Sequence, residues 1–163
     1  MFAELLLPDK NTTFLVSRLL YEKHIYNALD NKMRDVWGAH DVFCEIESGK
    51  RIVLGVFSKD DKKFLGCVHG LMETPVFYGH FLFRRKVDVV KAVLLCEELC
   101  QKVYVNSGLM TLKSFAGIIP ENNRAVQITA KKLGYRDNGI LDGEYFYSFD
   151  KKIPCRLYVK EIR

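Results

Sequence analysis

The chain has 163 residues, of which 48% are hydrophobic, and this size and composition predict one globular domain spanning residues 1–163. A formal net charge of +5, spread among 20 acidic residues, permits an anionic ligand without requiring one. No apolar run approaches the roughly 20 residues of a membrane span, and the first residues lack a basic leader. We therefore expect a cytoplasmic protein with no membrane partner.

Five cysteines are present, an odd number with no Cys-x-x-Cys spacing. Most lie in apolar runs, which predicts reduced thiols packed as small hydrophobic side chains. Cys96 and Cys100 are spaced to chelate a metal from one helix, but no second pair completes a tetrahedral set, so no metal site is predicted.

The first part of the chain predicts a strand followed by helices. Residues 2–7 are an apolar strand closed by Pro8. Residues 12–30 carry apolar side chains at helical spacing, and Asn11 or Thr12 can cap that helix. A weaker helix is predicted over residues 31–46, interrupted near Trp37 and its neighbouring glycine.

Three strands and a long helix are predicted next. Residues 51–58 and Phe64–Glu73 flank a polar turn and predict an antiparallel hairpin. Val76–Phe83 is an aromatic-rich strand. Residues 88–104 show a broad apolar stripe, which predicts a helix with Asp88 at its N-terminal cap.

The C-terminal part predicts a strand over residues 112–119 that Pro120 ends. The following helix is capped by Asn122 or Asn123 and ended by Gly134. Residues 145–149 and 155–159 are predicted as the last two strands, joined around residues 151–154.

The segment between Pro120 and Tyr135 resembles the C-terminal half of the GCN5-related N-acetyltransferase (GNAT) superfamily. The matching positions are Asn123, Lys132, Gly134 and Tyr135, and Gly66 resembles a glycine of the family's second hairpin strand. The element order agrees over nearly the whole chain. The resemblance implies an α+β (mixed α/β), GNAT-like fold, with a central, mostly antiparallel sheet of six to seven strands flanked by about four helices.

The resemblance also implies an activity, the transfer of an acetyl group from acetyl-CoA to an amine by direct attack on the thioester. The amine must first lose a proton, which for a lysine-like amine costs about 5 kcal/mol at neutral pH, so a base is needed. In the family the pyrophosphate lies on backbone N–H groups at the start of the central helix, in a loop resembling Gln/Arg-x-x-Gly-x-Gly/Ala.

This chain departs from that loop. If Arg84 takes the first position, Val87 and Val89 occupy the glycine positions. Valine disfavours the backbone conformations that glycine allows and hinders close approach of a phosphate. Basic side chains could replace the missing backbone contacts, or they could form an ordinary surface turn. The residues that the resemblance places at the cofactor are Arg84, Arg85, Lys86, Asp88, Val89 and Asn123.

Catalytic candidates are few. His80 on the strand Val76–Phe83 is the first candidate base, since the pKa of histidine lies near neutrality, and Glu73 is the second. A partly buried structural histidine is the alternative interpretation of His80. The position from which many family members protonate the leaving thiolate falls on Ala130, which has no proton to give. Trp37 and nearby aromatic residues could wall an acceptor site or belong to the core.

Two functional hypotheses follow. The first is an acyl-CoA-dependent N-acetyltransferase whose acceptor is an amine of a small molecule or a protein. The second is a catalytically degenerate GNAT-fold binding or structural protein, of the kind found in bacteriophages, that works through a protein partner or a homo-oligomer. Nucleic acid is not an expected partner, because no stretch interleaves basic and aromatic residues in a recognised motif.

Overall fold

The computed structural model describes residues 1–106, 112–148 and 151–162. Its centre is a seven-stranded sheet with the order β1-β2-β3-β4-β5-β7-β6, in which only β4 and β5 are parallel neighbours. The strands are β1 (Phe2–Leu5), β2 (Arg51–Phe57), β3 (Phe64–Glu73), β4 (Val76–Phe83), β5 (Ser114–Pro120), β6 (Arg136–Ser148) and β7 (Lys151–Glu161). The predicted mixed, mostly antiparallel sheet is confirmed.

Helices cover both faces of this sheet. They are α1 (Lys10–Leu20), α2 (Lys23–Tyr26), α3 (Asn31–Arg34), α4 (Val36–Glu47), α5 (Val89–Asn106) and α6 (Arg124–Lys132). Four are longer than one turn, as predicted, and α2 and α3 are additional single turns. Val53 packs with α1 and α4, whereas its neighbour Leu54 packs with α5. Because successive strand residues point to opposite faces, α1 and α4 cover one face and α5 the other, where α6 contacts α5.

The helices before β2 differ from the prediction in their boundaries and caps. The predicted helix over residues 12–30 is divided, because Glu22 has an extended backbone (ψ 125°) and starts a new turn. The second predicted helix is interrupted at Asp35 (ψ 141°), two residues before Trp37, near which the break was predicted. Asp9 caps α1, since its carboxylate accepts a 2.8 Å hydrogen bond from the Thr12 N–H. Neither Asn11 nor Thr12 serves as the cap.

The prediction for the last two strands was too short. β6 begins at Arg136, and β7 begins at Lys151, inside the segment that was predicted as the connection. The early part of β6 is polar, contains two glycines with positive φ, and is an edge strand with irregular register to β7. Such a strand lacks the alternating apolar pattern that identifies a buried one. Phe149, the predicted end of the first of these strands, lies outside the described residues.

Four of the five cysteines confirm the packing prediction. The thiols of Cys67, Cys96, Cys100 and Cys155 are buried and free. Burial raises the pKa of Cys96 and of Cys100 to about 12, so both are protonated and inert at neutral pH. Cys44 is the exception, because it is exposed on α4. Within the described part of the chain, no helix is both long and apolar enough to cross a membrane.

The parallel pair β4 and β5 creates the feature on which the site depends. Val76, Phe77 and Tyr78 pair with Ser114, Phe115 and Ala116, and no further ladder joins the two strands in the described residues. Both strands nevertheless continue, β4 to Phe83 and β5 to Pro120. The strands therefore separate beyond their first three residue pairs and leave a gap in the middle of the sheet.

Candidate functional site

The gap between β4 and β5 begins at two glycines. Gly79 and Gly117 are the first unpaired residues of their strands. A Cβ atom added at Gly117 would meet nothing closer than the Gly79 carbonyl oxygen, at 3.8 Å, whereas one added at Gly79 would lie 3.0 Å from the Phe77 ring. Bare backbone therefore lines both sides of the opening.

The N-terminus of α5 follows directly from β4. The Asp88 carboxylate accepts a 3.1 Å hydrogen bond from the Lys91 N–H, which confirms the predicted cap, and the Asp88 carbonyl accepts from the Ala92 N–H at 2.9 Å. The N–H groups of Val89 and Val90 precede the first intrahelical hydrogen bond and so have no helical acceptor. They form a partly positive helix end beside the gap.

The valines at this junction lie against the core. Val87, Val89 and Val90 are half-buried and pack against the cluster between the sheet and α5. Their side chains are thus part of the packing beneath the loop. The left-handed backbone that glycine would favour occurs at Lys86 (φ 69°), one residue before the first of these valines.

The three basic residues of the junction have different environments. Arg84 Nε lies 3.2 Å from Glu22 Oε1, close enough for an ion pair although the angle is poor for a hydrogen bond. Arg84 is therefore already partnered by Glu22, the N-cap residue of α2. Arg85 and Lys86 are exposed. Their positive charges are therefore accessible to a ligand at the N-terminus of α5.

Asn123 is at the N-terminus of α6 and Glu73 is at the end of β3, as predicted from the sequence. The Asn123 side-chain oxygen accepts a 3.3 Å hydrogen bond from the Val126 N–H, so it caps α6, and only its amide group is left for a ligand. Glu73 is paired in register with Val76, four residues before His80 on β4. This separation is roughly 13 Å at the rise of a strand, so Glu73 and His80 are not brought together.

His80 lies two residues beyond the last β4–β5 pair, on the sheet face that α1 and α4 cover. Its direct partner on β3 is His69, and the two rings stack with centroids 5.6 Å apart and planes inclined by 26°. His69 is only 5% exposed, whereas His80 is open to solvent. The pair therefore connects the buried sheet face to the edge of the gap.

His69 contacts a charged pair formed by Arg51 and Glu45. Arg51 donates two hydrogen bonds to Glu45 Oε2, at 2.8 and 2.6 Å, and its Nη1 lies 3.2 Å from His69 Nδ1. A guanidinium can only donate, so Nδ1 accepts and the ring proton of a neutral His69 is on Nε2. We call Glu45, Arg51, His69 and His80 the histidine cluster. Of these residues only His80 was predicted from the sequence. Glu45, Arg51 and His69 join it only through the register of three strands and the position of the end of α4.

The surroundings keep both imidazoles neutral at neutral pH. Burial, the neighbouring His80 and the Arg51 charge hold the pKa of His69 well below its usual value. Burial of the His80 ring and the nearby Arg51 charge also lower the pKa of His80. The effect of burial is moderated there, because part of the residue is exposed to solvent. A neutral imidazole can accept a proton, so His80 has the state that a base requires.

A second charged cluster lies on the opposite sheet face. Glu97 of α5 is 6% exposed, and it accepts a 2.8 Å hydrogen bond from the Tyr135 hydroxyl and a 2.5 Å hydrogen bond from Lys160 Nζ. Burial and the Glu97 carboxylate raise the pKa of Tyr135. Both oxygens of Glu97 are occupied, so this group, which we call the glutamate cluster, is a closed structural network.

The aromatic residues that could wall an acceptor site or belong to the core lie among the first four helices. Tyr21, Tyr26 and Phe43 line a cavity of about 20 Å³ there. The side chain of Trp37 lies outside the described residues. The cavity is too small for more than a water-sized group.

No model of a known protein family matches the sequence, and no match was found among curated proteins. Solved structures do match. A microcin C7 self-immunity acetyltransferase in complex with acetyl-CoA and AMP has a TM-score of 0.70 at 17% identity over 99% of this chain and 93% of that one. The acetyltransferase of Salmonella typhimurium that modifies the N-terminal serine of ribosomal protein L7/L12 gives 0.72 at 12% identity, over 100% and 96%.

The spermidine N-acetyltransferase of Vibrio cholerae, in complex with CoA and spermine, gives a TM-score of 0.71 at 9% identity over 98% of this chain and 95% of that one. These matches cover at least 98% of this chain, so the likeness includes the sheet and the longer helices. Identities this low establish architecture and not activity. The chain has the fold of the GNAT acetyltransferases.

Proposed function

We propose that the protein is an acyl-CoA-dependent N-acetyltransferase that acts on a small-molecule or protein amine. The observation that carries this proposal is the gap between β4 and β5, which opens at two glycines beside the free N–H groups of α5. The likeness to acetyltransferases, one of them in complex with acetyl-CoA and another with CoA, supports the donor.

The residues at the gap fit a CoA thioester. The narrow pantetheine arm would enter between the two glycines, where no side chain stands in its path, and the Asn123 side chain at the start of α6 would offer it an amide N–H. The N–H groups of Val89 and Val90 and the exposed Arg85 and Lys86 provide donors and positive charge for the phosphates. Arg84 contributes to this positive region less, because Glu22 offsets its charge. Asp88 supports the site indirectly by fixing the helix end.

His80 is the proposed base. It takes the proton that the acceptor ammonium must lose, so that the amine nitrogen can bond to the thioester carbonyl carbon while the carbon–sulfur bond breaks. The imidazolium passes that proton to solvent, and the second proton, which the nitrogen loses as the amide forms, goes through His80 to the sulfur, which leaves as the thiol. Arg51 and His69 hold the ring at the edge of the gap and keep it unprotonated beforehand. Glu73, roughly 13 Å along the sheet, is the weaker candidate for the same task.

A second hypothesis is a GNAT-fold protein without catalysis, which acts through a protein partner. It is favoured by Val87 and Val89 at the positions of the family's glycines and by Ala130 in place of an acid. Turnover with amines decides between the two hypotheses, because a degenerate protein could retain CoA binding.

The donor site is tested by thermal unfolding with and without CoA. Ligand at 100 times its dissociation constant stabilises the folded state by about 2.7 kcal/mol, which raises the midpoint by several degrees. Gly117→Leu places a side chain in the gap and is expected to abolish the shift. Ile118→Ala, at the next residue on the opposite sheet face, is the matched control and should retain it. No shift in the unmodified protein would overturn the proposal.

The base is tested by thiol release from acetyl-CoA with a panel of amines that includes polyamines and peptides with a free N-terminus. His80→Ala should keep the CoA-dependent thermal shift and lower turnover by about 100-fold or more. His40→Ala, an exposed histidine on α4, is the control and should leave turnover unchanged. Unchanged turnover in His80→Ala would remove His80 from the mechanism.

A further inference from the structure

A cavity of about 30 Å³ lies directly beneath the point where β4 and β5 separate. Its walls come from both sides of that point, with Phe77, Gly79 and Phe81 on β4 and Phe115 and Ala116 on β5. Val93 and Cys96 of α5 close it on the core side. The cavity therefore extends the glycine-lined gap towards the interior of the sheet.

The lining is almost entirely apolar. Its polar exceptions are Glu97 and Tyr135, and the two oxygens of Glu97 already accept hydrogen bonds from the Tyr135 hydroxyl and from Lys160. The carboxylate needs no further donor, because its charge is already paired with Lys160, and the apolar remainder of the lining gives an anionic guest no partner for the hydration it would lose. The cavity is thus suited to a short uncharged alkyl group. A cavity of this kind needs about 10–15 Å³ to hold one water, so this one has room for a group the size of a methyl.

We propose that this cavity receives the end of the transferred acyl chain, and that it allows the protein to use a thioester one methylene longer than acetyl, of the propionyl class. The inference rests on the proposed function, because it assumes a CoA thioester in the gap. The chemistry is that of the acetyl reaction: the carbon–nitrogen bond forms, the carbon–sulfur bond breaks, and the proton lost by the amine ends on the thiol of CoA. Acyl groups with a terminal carboxylate are disfavoured, because the carboxylate would lose its hydration in an apolar cavity without gaining a partner.

The test is equilibrium binding of CoA, acetyl-CoA, propionyl-CoA and succinyl-CoA, measured by calorimetry without an acceptor. Val93→Ile adds one methylene to the cavity wall and should weaken propionyl-CoA about fourfold relative to acetyl-CoA, while leaving CoA unchanged. Val93→Ala removes two methyl groups and should shift the ratio the other way. Val103→Ile, on the same helix away from the cavity, is the matched control and should change none of the ratios.

The outcomes separate this inference from the proposed function. Propionyl-CoA that binds at least as tightly as acetyl-CoA, with opposite shifts in the two Val93 variants, supports the acyl cavity. If CoA binds but neither Val93 variant changes the ratio of the propionyl-CoA and acetyl-CoA affinities, the inference is overturned and the proposed function is left intact. Failure of every thioester and of CoA to bind overturns both. Thermal midpoints of the variants show whether each is folded.

Discussion

The histidine cluster and the glutamate cluster lie on opposite faces of the same sheet, and both contain a carboxylate, a cation and a ring. In the glutamate cluster the carboxylate is the buried centre, with Tyr135 and Lys160 donating to it. In the histidine cluster the cation is the centre, and the chain of contacts ends at the solvent-open ring of His80. This difference indicates which sheet face can exchange protons with a substrate. The closed glutamate cluster stabilises the fold, whereas the solvent-open histidine cluster can also take part in a reaction.

The largest effect is expected from removing the cation of the glutamate cluster. Lys160→Met leaves Glu97 with a buried, partly unpaired charge, which should lower the free energy of unfolding by about 3 kcal/mol, the low end for a buried pair because Lys160 is 24% exposed. Chemical denaturation measures the loss. The double variant Glu97→Leu with Lys160→Met should recover most of it, and failure to recover would show that the pair is not the reason for the loss.

Removing the cation of the histidine cluster should change the free energy of unfolding less than removing Lys160 does. It should change the pKa values of the two histidines more. Arg51→Met is expected to cost about 2 kcal/mol, since Glu45 is partly exposed and can be solvated. Loss of the Arg51 charge should raise the pKa of both histidines, which moves the acidic limb of the pH–rate profile to higher pH. An unmoved limb would contradict the role assigned to Arg51.

The pH dependence of stability provides a third comparison. Because the pKa of His69 is lowered on folding, the unfolded chain binds the extra proton below about pH 6.5. The contribution of His69 to stability is therefore complete above that pH and is lost as the pH falls towards the folded pKa, by at most about 1.4 kcal/mol per pH unit. His69→Gln should reduce this slope in denaturation curves recorded between pH 6.5 and 5. An unchanged slope would place the titrating group elsewhere.

The smallest effect is expected for Tyr135→Phe. The change removes one hydrogen bond to Glu97 while Lys160 still pairs with the carboxylate, so a loss of about 1 kcal/mol is expected. The pH–rate profile should not move, because the glutamate cluster takes no part in proton transfer. A shifted profile in this variant would erase the contrast between the two faces.

Local sequence patterns predicted much of the fold. The aromatic-rich composition of Val76–Phe83 predicted its strand with the correct bounds, and Gly134 ends α6 with the expected positive φ of 88°. β6 was largely missed, because an exposed, bulged edge strand needs no apolar alternation. Its partner strand, and not its own composition, makes it extended.

The candidate site was harder to predict than the fold. His80 could be singled out from its strand, but Arg51 and His69 approach it only after β2, β3 and β4 are aligned in register. The left-handed backbone at Lys86, one residue before the glycine position that Val87 occupies, could not be predicted, since the motif gives the loop's composition and not its path. Contacts that depend on several strands at once are not visible in a local pattern.

The central claim is that the opening between β4 and β5 holds the CoA thioester. A titration of isotope-labelled protein with CoA, followed by the backbone amide resonances, tests it residue by residue. We predict saturable shifts at Gly79, Gly117, Val89 and Val90, with the far strand β1 unchanged. Saturable shifts confined to other parts of the sheet, or no shifts at millimolar CoA, would contradict the account.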